Sequence, residues 1–436
     1  MPGKVFSHFW KNGRQSLNTV KMEELKLFQV RQIINTESIS SVQSALRHEL
    51  VSKSLNELIS PGQKIAITVG SRGIASLVQI LRCLVEWLWE SGAKPFIVPA
   101  MGSHGNADAR GQLDILERYG ITEKKIGVPV ASSMEVVLLE HTAAGAPVYM
   151  DKTAYESDGI IVLNRVKPHT TMSGPVQSGL LKMLAVGLGN HEGAESMHRY
   201  GLEKNVPQAA AIILSKAPVL FGIAIVENAF KQPYGIYAIP AGRIASEEQG
   251  VLEEAVKILP VIPFDHLDVL LVRTMGKNIS GSGMDTNVVG RWRRVGGEID
   301  KDIKRIAVLD LADESRGNAL GIGMADFITR SLYEKIDFKA TYMNALTSGW
   351  TNGAKIPMVL ETEKDVWRQA LHGFNREKLR LVLIENTLNL QEIWVSEVIK
   401  EEAANCPSID LIKGPFAVNF SPEGKLALKE EGDIEG

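Results

Sequence analysis

Residues 63–99, which read QKIAITVGSRGIASLVQILRCLVEWLWESGAKPFIVP, decide the fold of the N-terminal part of the chain. An apolar, β-branched run at 63–70 is followed by a short turn, an apolar pattern of helical period at 75–91, and a second apolar run at 95–99. This order predicts a βαβ unit, in which the two strands are parallel and the crossover is right-handed. The stretch therefore predicts an α/β fold with a Rossmann-like, mainly parallel sheet.

Further elements extend this pattern toward the middle of the chain. A loop with His104 follows the second strand, a helix is predicted at 108–119, and a buried strand at 159–163 leads into a loop with His169. Ligands bind at the carboxyl ends of the strands in an open parallel sheet, because the loops converge there. Since Arg72, His104 and His169 each follow a predicted strand, we expect these side chains to face one crevice.

The length of 436 residues predicts two domains, since a single core stops growing at about 250–300 residues. A second series of strands and a Gly-rich loop predicts a smaller C-terminal α/β domain at 263–411. The larger N-terminal domain is assigned to 1–262, and the tail 412–436 could pack back on it. The last segment, 424–436, is charged and is expected to be loosely held. The active site is predicted in the crevice between the domains.

Composition excludes several classes of protein. The 48 Lys+Arg and 51 Asp+Glu give a formal net charge of −3, too balanced to indicate a nucleic acid or an anionic membrane as partner. The two cysteines, Cys83 and Cys406, suggest neither a disulfide framework nor a thiolate metal site. Residues 1–14 lack the apolar run of a secretory signal, and the apolar stretch 209–226 is broken by a lysine and a proline. We therefore expect a soluble, cytoplasmic protein.

Residues 164–198, NRVKPHTTMSGPVQSGLLKMLAVGLGNHEGAESMH, carry the densest set of chemically capable side chains. Lys182 lies in a mostly apolar helical run, where a lysine amine can become nucleophilic, although a lysine at a helix edge often only extends into solvent. The HEGAESMH segment is not a zinc-protease motif, because Glu195 stands where the second histidine would be required. His198 has an imidazole suited to nickel. His191 either supports the metal ligand from outside or is merely a loop residue, which is the interpretation we favour.

Other residues are candidates for acid–base chemistry and for binding. His104 and His169 are candidates for proton transfer, since histidine titrates nearest to neutral pH, and the alternative is that they only bond to the backbone. Arg72 is suited to bind a carboxylate with two hydrogen bonds, or is a surface arginine in a turn. Lys277, in the Gly-rich loop of the second domain, could reach substrate or cofactor. The segment 173–179 could bind a nucleotide phosphate through its backbone amides, although it lacks the Walker lysine pattern. The candidate residues are Ser173, Gly174, Ser178 and Gly179.

The MGSHG loop with His104, the pair Pro168-His169, Lys182 and His198 resemble the nickel-dependent lactate racemase family, with a likeness over most of residues 60–290. The resemblance implies a nickel-pincer nucleotide, the nickel complex of pyridinium-3-thioamide-5-thiocarboxylic acid mononucleotide. It would be attached covalently to Lys182, with its metal bound by His198, and accessory enzymes would have to synthesise it. The resemblance also implies a racemase or epimerase of an α-hydroxy acid. In such an enzyme, hydride moves reversibly from C2 to the tethered nucleotide, with His104 and His169 as acid and base.

Two features depart from the family pattern. The interval from His169 to Lys182 is longer than we expect for the lactate enzymes, and no acidic residue accompanies Arg72. Both departures favour another α-hydroxy acid, such as a sugar acid or a hydroxy dicarboxylate. Two alternatives stay open: a hydrolase or lyase with a simple His-bound metal, and a non-catalytic protein that binds the cofactor or a hydroxy acid. A homo-oligomer is also compatible with the sequence.

Overall fold

The structure, a computed structural model, describes residues 25–430 and contains two compact units. One unit comprises residues 35–259, and the other joins 25–34 to 260–430. Both units combine helices with β-sheets rich in parallel strands, which confirms the predicted α/β class. Within the described residues, every helix is too short or too polar to cross a membrane. The prediction that residues 1–14 lack a secretory signal concerns a segment outside the described range.

The strands of the described residues are numbered along the chain. They are β1 (Lys26–Gln32), β2 (Lys64–Val69), β3 (Lys94–Pro99), β4 (Val136–His141), β5 (Pro147–Asp151), β6 (Gly159–Arg165), β7 (Val219–Glu227), β8 (Pro233–Pro240), β9 (His266–Met275), β10 (Asp302–Leu311), β11 (Phe327–Thr329), β12 (Met358–Leu360), β13 (Leu381–Ile384), β14 (Glu392–Ser396), β15 (Ile409–Phe420) and β16 (Leu426–Glu430). The α-helices are Val42–Ser52, Leu77–Glu90, Ala109–Arg118, Glu123–Ile126, Lys152–Tyr155, Leu180–Lys182, Asn190–Tyr200, Leu202–Lys216, Ile244–Lys257, Thr286–Val289, Trp292–Val295, Arg330–Glu334, Phe338–Thr347, Glu363–Leu371 and Glu397–Ala403.

The 35–259 unit is built on a five-stranded sheet of order β3-β2-β6-β7-β8. The strands β3, β2, β6 and β7 are parallel, and β8 runs antiparallel to β7 at one edge. The predicted βαβ unit is confirmed as β2, the helix Leu77–Glu90 and β3. Because β3, β2 and β6 are neighbours, the loops that leave their carboxyl ends start side by side.

Apolar residues cover both faces of this sheet. In β2, Ile65 and Ile67 belong to a core that includes the helix Leu77–Glu90, whereas Ala66 belongs to a second core with the helix Leu202–Lys216. The alternation follows from the two-residue period of a strand. Burial on both faces explains why these strands are nearly continuous apolar runs in the sequence.

The other unit contains a nine-stranded sheet of order β12-β11-β10-β9-β13-β14-β1-β15-β16. The strands β12, β11, β10, β9 and β13 are parallel. The remaining four, β14, β1, β15 and β16, are antiparallel to their neighbours.

This grouping differs from the predicted domains 1–262 and 263–411 at both ends of the chain. Residues 25–34 contain β1, which pairs with β14 and β15 and so lies in the C-terminal unit. Residues 412–430 contain the end of β15 and the whole of β16, and both strands belong to the nine-stranded sheet of the C-terminal unit. The prediction of a loosely held tail at 424–436 is wrong for residues 426–430, which form β16. Residues 431–436 lie outside the described range. These strand pairings join distant parts of the chain, and local patterns do not reveal them.

Candidate active site

Lys182 lies where the helical backbone changes its hydrogen-bond pattern. It is the last residue of the turn Leu180–Lys182, and the chain continues as a π-helical turn over Met183–Gly187. The Leu188 amide donates to the Met183 carbonyl at 2.9 Å, which is the i→i−5 bond of a π-helix. Single π-helical turns within helices are frequent at functional sites. Lys182 itself is half-buried, so its amine lies at the boundary between core and solvent.

A buried carboxylate fixes the start of this turn. Glu248 accepts hydrogen bonds from the amides of Leu180 and, at 3.1 Å, Leu181. Its burial, with only 5% of the residue exposed, raises the carboxyl pKa to about 7, although the two amides act in the opposite direction. A Cβ atom on Gly179 would overlap the Glu248 carboxylate oxygen. The backbone before Lys182 therefore requires both a glycine and a buried acid.

Substituting Gly179 by alanine is expected to destabilise the fold by about 1–3 kcal/mol, the usual cost of overpacking. The backbone of Gly179 is extended, with φ 174°, so the cost comes from overlap with Glu248 and not from backbone strain. Urea unfolding measures the difference. The matched control is Gly250→Ala, because Gly250 lies in the same helix as Glu248 and a Cβ there would have nothing within 4 Å. Its free energy of unfolding is expected to rise by up to about 1 kcal/mol. Equal stability of wild type and Gly179→Ala would contradict this account.

The His169 side chain lies beside Lys182. The distance between His169 Nε2 and Lys182 Nζ is 2.7 Å. The other ring nitrogen, Nδ1, accepts the backbone amides of Thr171 at 3.1 Å and Met172 at 3.2 Å, and lies 2.8 Å from Thr171 Oγ1. The amide of His169 donates to Gln177 Oε1 at 2.7 Å. The loop after β6 thus folds around the imidazole and directs Nε2 at the amine.

His104 is carried by a compact loop after β3. Gly105 has φ +70°, a conformation that favours glycine, and a Cβ on Gly111 would overlap the Gly105 carbonyl. The buried Gln112 donates from Nε2 to the Gly102 carbonyl at 3.2 Å. The loop and the following helix Ala109–Arg118 therefore approach closely and fix the position of His104.

The surroundings of the His104 ring favour its neutral form. Its Nδ1 forms a short hydrogen bond with Ser71 Oγ. The residue keeps exposed surface, but desolvation of the ring lowers its pKa to about 4. The charge of Arg72 acts in the same direction, as do Lys182 and His198 whenever they are protonated. His104 is therefore neutral at pH 7 and can accept a proton.

His198, on the helix Asn190–Tyr200, has the properties of a metal ligand. Packing around its ring lowers the pKa, and the charge of Lys182 contributes in the same direction. The imidazole is therefore neutral at pH 7, the form that binds a metal. His191 lies on the same helix, so its interpretation as a loop residue is wrong. It is exposed, and its Nε2 lies 3.8 Å from Glu195 Oε2.

Two predicted phosphate-binding amides already have an acceptor. The amides of Ser173 and Gly174 donate to Glu203 Oε1 at 3.1 and 3.0 Å, and Ser173 Oγ donates to the same atom at 2.8 Å. The Ser178 carbonyl accepts the Lys167 amide at 3.0 Å. An anionic ligand that used the first two amides would have to displace Glu203, so the phosphate-binding role stays a prediction.

Lys277 lies in the C-terminal unit. Its ammonium donates to the Gly281 carbonyl, and its amide donates to Ser315 Oγ at 3.0 Å. Its role in binding substrate or cofactor stays a prediction, as does a site in a crevice between the units.

The structure thus gathers most of the predicted side chains in one place. This cluster consists of Arg72, His104, His169, Lys182 and His198. The first three follow the strands β2, β3 and β6, and the last two lie in the segment after the His169 loop. Sequence reasoning missed Ser71, although its place beside Arg72 at a strand end was a signal. It also missed Glu248, which stands far along the chain in an ordinary amphipathic helix.

One comparison with known proteins, the family model, agrees with the resemblance. Residues 11–208 match the family model described as the lactate racemase N-terminal domain. No curated protein is significantly similar to the chain. Among solved structures, the chain is similar to the lactate racemase apoprotein from Thermoanaerobacterium thermosaccharolyticum, at 15% identity and a TM-score of 0.44, covering 62% of this chain and 68% of that one. The whole cluster lies within residues 11–208, and Lys277 lies outside them.

Proposed function

We propose that the protein is a lactate racemase-like isomerase that racemises or epimerises an α-hydroxy acid, because residues 11–208 match the model of the lactate racemase N-terminal domain. The observation that carries the proposal is the cluster in which His169 Nε2 lies 2.7 Å from Lys182 Nζ, with His104 and His198 close by. A lysine amine surrounded by three histidines is an unusual arrangement for purely structural residues.

The cluster fits the nickel-pincer nucleotide of this family. Lys182 would hold its organic part through a covalent bond, because the amine is half-buried beside a fixed imidazole. His198 would bind the metal, since a neutral imidazole is a good nickel ligand. When bound, the nucleotide supplies a hydride acceptor next to the substrate.

The remaining residues of the cluster would act on the substrate. Arg72 would hold the carboxylate with two hydrogen bonds, and its charge already acts on the neighbouring His104. His104 is neutral at pH 7 and would take the hydroxyl proton from one enantiomer. His169 would be its counterpart for the other enantiomer, so that each configuration at C2 meets one acid–base group.

The substrate is proposed to be an α-hydroxy acid other than lactate, such as a sugar acid or a hydroxy dicarboxylate. Where we expected an acidic residue beside Arg72, the chain has Ser71, which bonds to His104. A hydrolase or lyase with a metal held by side chains alone is less favoured, because residues 11–208 match the model of the lactate racemase N-terminal domain.

The test is isomerisation of single enantiomers by the loaded protein. Protein produced with the cofactor-synthesis enzymes is incubated with lactate, sugar acids and hydroxy dicarboxylates, each of one configuration at C2. Chiral chromatography is expected to show conversion of at least one acid to the opposite configuration. Protein made without those enzymes is the control and should be inactive. A preparation with nickel and a covalent adduct that converts none of the acids would contradict the proposal and favour a binding protein.

A further inference from the structure

The contacts of His169 Nδ1 determine where the imidazole carries its proton. This nitrogen accepts two backbone N–H groups, from Thr171 at 3.1 Å and from Met172 at 3.2 Å. A backbone N–H can only donate, so both amides require a lone pair on Nδ1. The Thr171 hydroxyl oxygen lies 2.8 Å from the same nitrogen and can either donate or accept, and in this arrangement it donates. The neutral ring therefore carries its proton on Nε2. A doubly protonated ring is disfavoured, because Nδ1–H would oppose both amides.

The second ring nitrogen then restricts the state of Lys182. Nε2 lies 2.7 Å from Lys182 Nζ, and a hydrogen bond at this distance needs one lone pair between the two nitrogens. An ammonium group has three donors and no lone pair. Because Nδ1 carries no hydrogen, the ammonium could donate to Nε2 only if the ring had lost both of its protons. A neutral histidine keeps one of them. We propose that, in the protein before cofactor attachment, His169 donates from Nε2 to Lys182 and holds it as an uncharged amine.

The surroundings of the amine act in the same direction. Arg72 contributes a fixed positive charge to the same cluster, next to His104. The residues on both sides of the lysine, Leu181 and Met183, are buried. Like charges and desolvation both disfavour the charged form of a lysine.

The inference gives His169 a role that precedes any turnover, and this role rests on the proposed attachment at Lys182. Only an uncharged amine has the lone pair needed to form a bond to carbon. The fixed tautomer therefore prepares the lysine before the nucleotide arrives. Before attachment His169 therefore presents a hydrogen to the site. To act as a base in turnover, its ring must first lose the Nε2 proton, or Nδ1 must be released from the two amides.

The tautomer can be tested directly by nitrogen NMR of the unloaded protein labelled with ¹⁵N-histidine, with the His169 signals assigned from the spectrum of His169→Gln. At pH 7 the signals are expected to show an unprotonated Nδ1 and a protonated Nε2. A proton on Nδ1, or on both nitrogens, would overturn the inference.

The state of the amine can be tested by its reactivity. Unloaded protein is treated with trace acetic anhydride over a series of pH values, and acetylation of Lys182 and of the exposed Lys124 is measured by peptide mass spectrometry. The midpoint of the rate profile for Lys182 is expected at least about two pH units below that for Lys124, as for other lysines with a disfavoured charge. His169→Gln should move the midpoint toward that of Lys124, because a glutamine carbonyl accepts from an ammonium. Thr171→Val, which keeps both backbone amides, should not.

Coincident profiles for the two lysines of the wild type would overturn the inference and leave the proposed function standing, since loaded protein could still carry its adduct. A loaded protein without any adduct would overturn the proposed function and leave the tautomer unaffected. The acetylation profiles of Lys182 and Lys124 in the wild-type protein decide the inference even if His169→Gln does not fold.

Discussion

Lys182→Ala protein produced with the cofactor-synthesis enzymes is expected to carry no covalent adduct, whereas wild-type protein carries one, together with nickel. The substitution removes the only group that would be bonded to the nucleotide and shortens a half-buried side chain without adding a buried polar atom. Intact-protein mass spectrometry measures the covalent adduct, and metal analysis of the same samples measures the nickel content. Lys204→Ala, at an exposed position on the following helix, is the control and should keep the adduct. An adduct that persists in Lys182→Ala would refute the attachment site.

Substitution of His198 separates the tether from the metal. His198→Ala is expected to retain the organic adduct and to lose nickel during dialysis, because it removes a metal ligand and leaves the lysine in place. If His198→Ala loses the organic adduct together with the nickel, His198 supports the structure of the site and is not a metal ligand.

His104→Ala is expected to lower turnover in both directions by ~10²-fold or more, the usual cost of a missing general base, while the bound cofactor survives. The wild-type profile should also show the low pKa of His104. With a pKa of about 4, the ring stays neutral as the pH falls through 6.5 and becomes protonated only near pH 4, so the contribution of the base is lost there. Measurement of kcat/KM against pH, which reports the pKa values of the free enzyme, tests both statements.

The control for this substitution is His191→Ala, since His191 is exposed and contacts Glu195. It is expected to keep near-normal rates. If His104→Ala also keeps a near-normal turnover rate, His104 has a structural role and is not the general base. His169→Ala is expected to lose turnover to a similar degree, and its adduct content must be measured first, because we assign His169 a role in attachment.

The sequence was sufficient to predict the sheet that gathers the site. The apolar runs of β2, β3 and β6 are local patterns, and parallel strands place the loops that follow them at one edge. Arg72, His104 and His169 could therefore be placed together from the sequence alone. Lys182 and His198 came from the family resemblance, and the structure brings them to the same cluster.

Other features could not be predicted because they depend on contacts between distant residues. The strand β1 finds its partners β14 and β15 more than 350 residues along the chain, which no local pattern indicates. Glu248 contacts the amides of Leu180 and Leu181 from a helix whose sequence gives no sign of it. The tautomer of His169 depends on backbone amides, which every sequence contains and only a folded loop directs at a ring.

The measurement that tests the central claim most directly follows the hydrogen at C2 of an α-hydroxy acid that the loaded protein converts. Hydride transfer keeps this hydrogen out of exchange with water, whereas a proton taken by a histidine exchanges. Substrate deuterated at C2 is incubated in ordinary water, and NMR of the product is recorded in early turnover. We expect the opposite configuration with its deuterium retained at C2. Product that carries hydrogen from the solvent at C2 would contradict the account and indicate acid–base racemisation without the nickel-pincer nucleotide.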